Sequence, residues 1–266
     1  MSLQINQNVA AINAHRNLVS NDGMLGKSLE RLSSGFRINR AGDDAAGLVK
    51  SETLRSEVRG TEQAVRNAQD GISFVQTAEG SLVEVHAMLQ RLNQLAVSAA
   101  NTATSDGSAE QAEVDELLLQ IDAIGTGTRF AGLDVFDANA KTFHVGANAG
   151  ETIDVTVGAL SAAELGVDGI DLTADADGAI TTIATAVDTV STLRGSLGAK
   201  QNRMESTISN LRVTMENLSA SESRIRDTDM ALEMSNFTRN QIMVQAGTAM
   251  LAQANAVPQS ILGLLR

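Results

Sequence analysis

Residues 240–266 read NQIMVQAGTAMLAQANAVPQSILGLLR and carry no charged side chain before the final Arg266. Apolar residues recur here at alternating steps of three and four, which places them on one face of a helix. The remaining surface carries uncharged amides and hydroxyls, where a soluble monomer normally places Lys and Glu. So many Gln and Asn side chains also argue against a transmembrane span. The stretch therefore predicts a helix that neighbouring copies of the chain surround. Its predicted packing face comprises Met243, Gly247, Met250, Ala254, Val257, Ile261 and Leu264.

Two longer helices are predicted before this stretch. Residues 45–100 hold an apolar seam, sharpest over residues 75–99, and a repeat of that length is typical of a coiled coil. The same spacing returns over residues 180–225, where the second long helix is predicted. A polar turn at residues 101–107 and a shorter helix that ends near Gly125 lie between them.

An amphipathic helix is predicted over residues 3–32. A basic connector that begins and ends with glycine follows over residues 35–42. Asp43 or Asp44 is then placed to cap the next helix, because a carboxylate accepts hydrogen bonds from the free N–H groups of a helix N-terminus. The apolar stripe of the first helix comprises Ile5, Val9, Ile12, Val19, Leu25 and Leu32.

Between residues 129 and 157 the apolar residues recur at every second position instead of at steps of three and four. Phe143 and Val145 alternate with polar residues, residues 153–157 do the same, and Asn-Ala-Gly stands between the two runs at 148–150. This pattern predicts a β-hairpin. The acidic, Gly-rich residues 158–178 predict a surface connection. The predicted fold class is mainly α, a long coiled-coil-like helical bundle with a small β-hairpin region.

Charge is distributed unevenly along the 266 residues. The net charge is −12, yet residues 92–193 carry two cations and 16 acids, whereas the two ends together carry 18 cations and 16 acids. Nearly neutral ends suit close packing of copies, and an acidic middle suits a solvated exterior. Only 2% of the residues are aromatic and no basic stripe is present, so nucleic-acid binding is not expected.

The sequence contains no recognisable constellation of catalytic or metal-binding residues. Cysteine is absent, which removes disulfides, thiolate metal sites and a Cys nucleophile. His15, His86 and His144 fall in three different segments, and neither a His-Glu-x-x-His nor a phosphate-loop motif occurs. We therefore predict no enzyme activity, no cofactor and no metal. Four methionines lie on the apolar stripes, and we interpret them as core filler, that is, as side chains that fill gaps in the hydrophobic core. They are Met204, Met215, Met243 and Met250.

Distinctive short motifs lie near both ends of the chain. Residues 32–39 read LSSGFRIN, residues 43–47 read DDAAG, and residues 264–266 read LLR. Further motifs are NAQDGIS at 67–73, LQR at 89–91, LAV at 95–97, QAGT at 245–248, LAQAN at 251–255 and PQ at 258–259. Together these stretches closely resemble bacterial flagellin. The middle, with FHVGAN at 143–148, is similar to the family's short form, which lacks large outer variable domains.

The resemblance implies a structural subunit that polymerises into the flagellar filament for swimming motility. It implies two domains, each built from both chain ends. Residues 1–42 and 227–266 would form an inner tube, and residues 43–178 with 179–226 would form the outer tube and the surface. The resemblance also implies export in the unfolded state through the flagellar type III apparatus, which agrees with the lack of a Sec-type signal in the first residues.

Several partners follow from the same resemblance. The filament cap, the hook–filament junction proteins and a cytoplasmic export chaperone on the C-terminal helix would take part in assembly. The flagellin-sensing Toll-like receptor of animals would contact Arg91, Leu95 and Glu113. The final three residues match the tail that cytosolic flagellin sensors bind. No nucleic acid and no membrane insertion is expected.

Self-association is the predicted mechanism. Short helices are marginal in water on their own, so the terminal helices are expected to become ordered at the growing tip of the polymer. The uncharged Gln, Asn and Ser face of the last helix is expected to line the export channel. Two other interpretations stay open. A hook–filament junction protein of the same family would cap assembly, and a soluble coiled-coil secreted effector would form no open-ended polymer.

Overall fold

The computed structural model describes residues 7–101 and 107–264, with side-chain burial up to residue 256. Within these residues the chain forms five helices and two short antiparallel strand pairs. The helices are α1 (Val9–Ser34), α2 (Ala45–Ala99), α3 (Ser108–Gly127), α4 (Ala176–Arg226) and α5 (Met230–Leu264). The strands are β1 (Arg129–Phe130), β2 (Leu133–Asp134), β3 (Lys141–His144) and β4 (Thr152–Val155). The predicted fold class is confirmed.

The chain divides into two compact units. Unit 1 comprises Met1–Ser56 and Asn217–Arg266, so it is built from both chain ends, and unit 2 comprises Glu57–Glu216. The domain limits drawn from the sequence, at residues 42 and 227, concern the two tubes of an assembled polymer and stay a prediction.

The core of unit 2 follows the seam that the sequence predicts on α2. Its apolar positions at steps of three and four are completely buried, as are matching positions on α4. Because each buried aliphatic side chain of this size contributes about 1.5–3 kcal/mol, this seam is the main source of stability in unit 2. The completely buried side chains of the two helices include Val75, Leu82, Val85, Leu89, Leu92, Ile183, Leu197 and Met204.

The predicted β-hairpin is present as β3 and β4. Phe143 pairs with Ile153 and His144 with Thr152, and the turn includes Gly150 at a φ of 91°, a conformation that glycine adopts without strain. The inward side chain of Phe143 meets Phe74 with ring centroids 5.7 Å apart. The two-residue strands β1 and β2 were not predicted, because a pair this short leaves no alternation to recognise.

The prediction of a surface connection over residues 158–178 is wrong for its apolar residues. These side chains enter the core of unit 2 between the exposed acids. The backbone that carries them is also fixed, since the Ala162 N–H donates to the Asp122 carboxylate and the Leu172 N–H donates to the Gln111 amide oxygen, both at 2.8 Å. The buried apolar residues are Leu160, Ala162, Val167, Ile170 and Leu172.

The start of the first helix also differs from the prediction. α1 begins at Val9 because Asn8 caps it, with the Asn8 side-chain oxygen accepting from the Ala11 N–H at 3.1 Å. Residues 1–6 and the predicted turn at residues 102–106 lie outside the described residues. The predicted cap of α2 is confirmed at Asp44, which accepts from the Gly47 N–H at 2.9 Å. Asp229 caps α5 in the same way, because it accepts from the Ala231 N–H at 2.9 Å.

Gly125 gives the clearest packing test in unit 2. It is buried, and a Cβ at this position would collide with the backbone oxygen of Leu160. We expect Gly125→Ala to lower the free energy of unfolding by about 1–3 kcal/mol, because the backbone of the following connection would have to move. Gly127→Ala is the matched control, because a Cβ there meets nothing within 4 Å. Urea unfolding of both variants measures the effect, and equal stability of the two variants would contradict the packing argument.

Candidate functional site

Unit 1 contains a seam in which α1 packs along α5. The less exposed residues of both helices recur at steps of three and four, so each helix presents one narrow face to the other. Many of these residues are small or polar. On α1 they are Ala11, Ala14, Leu18, Asn21, Leu25, Ser28 and Leu32, and on α5 they are Glu233, Phe237, Asn240, Val244, Gly247, Leu251 and Ala254.

Three contacts fix the register of this seam. The Asn8 side-chain amide donates to the Ala254 carbonyl oxygen at 2.8 Å. Leu18 lies so close to Gly247 that an added Cβ would approach its Cδ1 to 3.2 Å. Arg31 pairs with the buried carboxylate of Glu233 at 3.4 Å. Because an unpaired buried charge is costly, any slip of α5 along α1 that separates Arg31 from Glu233 is disfavoured.

A second set of contacts ties the connector after α1 to the junction between α4 and α5. The Arg37 N–H donates to the Arg226 carbonyl oxygen at 2.6 Å, and the Thr228 N–H donates to the Gly35 carbonyl oxygen at 3.0 Å. Between them, Phe36 forms an isolated antiparallel bridge with Asp227. The Arg226 guanidinium also lies over the Phe36 ring, 4.8 Å from its centroid. The two ends of the chain are therefore joined by backbone hydrogen bonds as well as by the helix seam.

Asp43 holds the connector to the end of α1. Its carboxylate lies 2.8 Å from the Lys27 ammonium and accepts from the Asn39 and Arg40 N–H groups at 3.2 Å. The Lys27 hydrogen bond, supported by these backbone donors, lowers the pKa of Asp43 from 3.8 to about 2.

This pKa shift gives a pH-dependent prediction. A carboxyl whose pKa is lower in the folded state stabilises it above the unfolded pKa, and the contribution is lost as the pH falls from about 4 towards about 2. We expect Asp43→Asn to raise the exchange of the Asn39 and Arg40 amides, which donate to Asp43, at neutral pH, with the difference from the unmodified chain shrinking below pH ~3. Asp44→Asn is the matched control, because Asn caps helices as well as Asp does. A difference that persists unchanged at low pH would contradict the assignment.

Large apolar side chains remain exposed on the faces of α1 and α5 that the seam does not cover. Val19 is 58% exposed and Met250 is 64% exposed, whereas comparable side chains on the α2 seam are completely buried. An apolar patch of this kind normally marks a protein contact surface. We call this set the outer apolar face. It comprises Val9, Ile12, Val19, Met24 and Leu29 on α1 and Met230, Leu232, Met234, Ile242, Met243 and Met250 on α5.

The structure divides the packing residues predicted from the sequence between the two faces. Val9, Ile12, Val19, Met243 and Met250 lie on the outer apolar face. Leu25, Leu32, Gly247 and Ala254 lie in the seam. The interpretation of Met243 and Met250 as core filler is therefore wrong within the chain, while Met204 is buried as predicted. Ile5 lies outside the described residues, as do the side chains of Val257, Ile261 and Leu264.

Sequence reasoning missed several residues of both faces. The seam residues Leu18, Val244 and Leu251 are absent from the predicted packing faces, and the polar Asn21 and Asn240 are absent as well. The small and polar residues at steps of three and four could have revealed the seam, since helices approach closely where side chains are small. Nothing in the spacing alone distinguishes which apolar strip faces the partner helix.

The three residues predicted for receptor contact lie in unit 2, in different settings. Arg91 and Glu113 form an exposed bidentate ion pair, with distances of 2.7 and 3.0 Å. Their hydrogen bonds lower the pKa of Glu113 and raise that of Arg91. Leu95 is only 6% exposed and belongs to the core.

Unit 2 also contains a cleft of about 790 Å³ beside the hairpin. Phe74, Phe130 and Phe143 line it, and Phe74 and Phe130 meet edge to face with centroids 5.9 Å apart.

Among the described residues, no three His, Asp or Glu side chains are grouped as a metal site requires. His86 lies 3.0 Å from the Gln90 amide, which is a local contact on one helix. In the part of the chain that the structure describes, no helix has the length and apolar character to cross a membrane.

Paired helical ends with exposed large apolar side chains indicate a protein that works through contacts with other chains. Comparison of the sequence identifies the family. The bacterial flagellin N-terminal helical region matches residues 5–141, and the bacterial flagellin C-terminal helical region matches residues 180–265. The chain belongs to the bacterial flagellin family and is a structural subunit of the flagellar filament.

Similar proteins span nearly the same length. The chain is 46% identical to the flagellin of Bacillus subtilis (strain 168), covering 99% of this chain and all of that protein. It is 50% identical to the flagellin of Halalkalibacterium halodurans, covering 98% and 99%. The flagellar filament 33 kDa core protein of Treponema phagedenis is 45% identical, also over 98% and 99%. A crystal structure of Bacillus cereus flagellin covers 55% of this chain and 88% of that chain, at 24% identity and a TM-score of 0.49.

Proposed function

We propose that the outer apolar face is the surface through which copies of the chain pack into the inner tube of the filament. The observation that carries this proposal is the concentration of large exposed apolar side chains on α1 and α5. The sequence-predicted residues Ile5, Val257, Ile261 and Leu264 would extend the same contact. A solvent-exposed face of this composition is unfavourable in a lone chain, so a partner is needed to cover it.

The energetics favour many small contacts over one strong contact. Covering the exposed half of one such side chain yields roughly 1 kcal/mol, so a single neighbour that covers two or three of them gives a weak interaction. Association also costs rotational and translational freedom, which weak pairs do not offset. A subunit at the growing end of an open helical array meets several neighbours at once. Stable incorporation therefore requires the array.

Seeded growth distinguishes this function from the two alternatives. Purified chain is added to short filament fragments, and filament length is followed by electron microscopy. A propagating subunit lengthens the seeds in proportion to the chain supplied. A junction protein would cover the ends and stop further growth, and a soluble effector would leave the seeds unchanged. Either of the last two results would reject the proposal.

We further propose that the chain is delivered unfolded through the flagellar type III apparatus to an extracellular filament. The absence of cysteine agrees with this route, because no disulfide must form or be broken during passage. The seam of small residues in unit 1 also agrees, since it resists unfolding less than the α2 seam does. Pulse-labelled export in cells that lack the apparatus tests the route, and extracellular chain in those cells would contradict it.

The remaining partners are proposed from family membership. They are the filament cap, the hook–filament junction proteins and an export chaperone on α5, and the role is structural without catalysis. Pull-down of each purified protein by immobilised chain tests these contacts. For the flagellin-sensing Toll-like receptor, Arg91 and Glu113 are accessible, whereas Leu95 is buried in the core of unit 2. We expect Arg91→Ala to reduce receptor activation in a cell reporter, and unchanged activation would remove Arg91 from the contact.

The uncharged face of α5 gives a prediction about the channel. Gln253 is exposed on this face, and we propose that it lines the lumen of the inner tube. Exported chains of this composition carry a net charge of −12, so a fixed cation would retain them. We expect Gln253→Lys to give shorter filaments in growing cells, measured by electron microscopy, while Gln253→Asn as control keeps normal length. Normal length with Lys would contradict the lumen assignment.

A further inference from the structure

The methionines of this chain are divided sharply by exposure. Of the eight methionines among the described residues, five are 47% to 64% exposed, and all five lie on α1 or α5 as part of the outer apolar face. In unit 2, by contrast, Met204 is completely buried, and Met88 and Met215 are half-buried. The exposed residues are Met24, Met230, Met234, Met243 and Met250. Unit 1 therefore presents a set of accessible thioether sulfurs on the surface proposed for assembly.

We propose that these five methionines are a reversible oxidation site that controls whether a subunit can be incorporated. The inference rests on the proposed function, because its consequence is read at the contact between copies. The oxidant class is a peroxide, and the modification is methionine sulfoxide. Since the chain contains no cysteine, methionine supplies all of its readily oxidised sulfur.

The chemistry requires only an accessible sulfur. A lone pair of the thioether sulfur attacks one peroxide oxygen, an S–O bond forms and the O–O bond breaks. The departing hydroxide takes the proton released from the transferred oxygen and leaves as water. The sulfur is oxidised by two electrons and hydrogen peroxide is reduced by the same two. A methionine sulfoxide reductase with a thiol reductant reverses the step, which makes the modification a switch.

Oxidation changes the contact without unfolding the chain. The seam side chains Leu18, Val244 and Leu251 carry no sulfur, so the pairing of α1 with α5 is left in place. On the outer apolar face each sulfoxide adds a strong hydrogen-bond acceptor. When a neighbouring copy covers that oxygen, its hydration is lost without a replacement donor, which is costly. Oxidised chains are therefore folded but poorly incorporated.

Assembly also protects the same residues. Once neighbours cover the outer apolar face, the sulfurs are shielded from peroxide. The unassembled chain is thus the sensitive form and the filament is the resistant form. This difference in sensitivity distinguishes control of assembly from general oxidative damage, which would also oxidise methionines in the finished polymer.

The experiment treats purified chain with hydrogen peroxide, maps sulfoxides by mass spectrometry and then measures elongation of untreated filament seeds. With the five sites oxidised, we expect elongation to fall at least ~10-fold, because each covered sulfoxide carries a desolvation cost. Treatment with methionine sulfoxide reductases of both stereospecificities and dithiothreitol should restore the original rate. Assembled filaments exposed to the same peroxide should show little sulfoxide at these positions.

Three variants make the result specific. The variant in which all five exposed methionines are replaced by Leu should elongate at the same rate before and after peroxide, because Leu conserves volume and has no sulfur. Met204→Leu, which removes a buried methionine, should remain as sensitive as the unmodified chain. The pair Met243→Leu with Met250→Leu offers partial protection if five substitutions together impair growth.

Several results would overturn the inference. Normal elongation by chain with mapped sulfoxides at all five sites would do so, as would a five-Leu variant that loses activity as strongly as the unmodified chain. Failure of the reductases to restore growth after removing the sulfoxides would assign the loss to other damage. If the untreated chain does not elongate seeds, the proposed function itself fails, and that result is seen before any peroxide is added.

Discussion

Replacing Ile12 by Asp is expected to reduce seeded filament growth by more than about 100-fold. Ile12 is 57% exposed on the outer apolar face and takes no part in the seam between α1 and α5. The substitution therefore leaves unit 1 free to fold but places a carboxylate where, in the proposed assembly, a neighbouring copy covers it. Burial of an unpaired charge costs about 3–5 kcal/mol, and each 1.4 kcal/mol corresponds to a factor of ten.

The matched control adds the same charge elsewhere. Thr185 is exposed on α4 within the acidic middle of the sequence, where charged side chains are already solvated. Thr185→Asp is expected to elongate seeds at nearly the rate of the unmodified chain. Circular dichroism of both variants before seeding checks that helix content is preserved. Growth of the Ile12→Asp chain at the control rate would show that the outer apolar face is not an intersubunit contact.

Amides of α5 are expected to exchange at least ~100-fold faster than those of the α2 seam in the unassembled chain. Residues 243–254 pack against α1 through Val244, Gly247, Leu251 and Ala254, which are only half-buried, whereas residues 75–92 carry completely buried Val and Leu. Local opening is governed by the apolar contacts that must be broken, so the two segments differ in opening free energy by several kcal/mol. If polymerisation covers the outer apolar face as proposed, the exchange rates of the two segments should become similar.

Hydrogen exchange read by mass spectrometry measures both segments in the same sample. The α2 segment is the internal control, because its neighbours are the same before and after assembly within unit 2. Circular dichroism provides a second reading, since helix content should rise when the chain polymerises. Equal protection of the two segments in the unassembled chain would mean that the terminal helices are stable without neighbours.

The parts of the fold that were predictable are those in which one pattern persists. The apolar positions of the seam through Val75 and Leu89 repeat over about seven helical turns, so only the period of a coiled-coil helix fits them. The hairpin has alternation on both strands and a turn that ends in Gly150. In residues 158–178 the acids and glycines dominate composition, while Leu160, Val167 and Leu172 follow no single period. Their burial depends on α3 and its side-chain hydrogen bonds, which the local sequence does not reveal.

The candidate site was predictable only in part for a related reason. Both terminal stretches have apolar strips wider than one partner helix can cover, so their general role follows from sequence alone. Which strip is covered internally depends on close approach at Gly247 and on the Arg31–Glu233 pair, and these are properties of two segments together. Arg91 and Glu113 were related by resemblance, yet their mutual ion pair and the burial of Leu95 needed the folded unit 2.

The backbone hydrogen bonds between residues 35–37 and 226–228 limit when the two ends of the chain can be joined. Their partners, Arg37 with Arg226 and Gly35 with Thr228, are separated by 189 and 193 positions in the chain, and closing so long a loop is slow and entropically unfavourable. A chain threaded through a narrow opening cannot make this joint while either partner is still inside. Until the later partner has emerged, the earlier one stays unanchored and can still slide or withdraw. If the chain is delivered unfolded as proposed, this joint forms only after both of its partners have emerged, whatever the strength of the individual bonds.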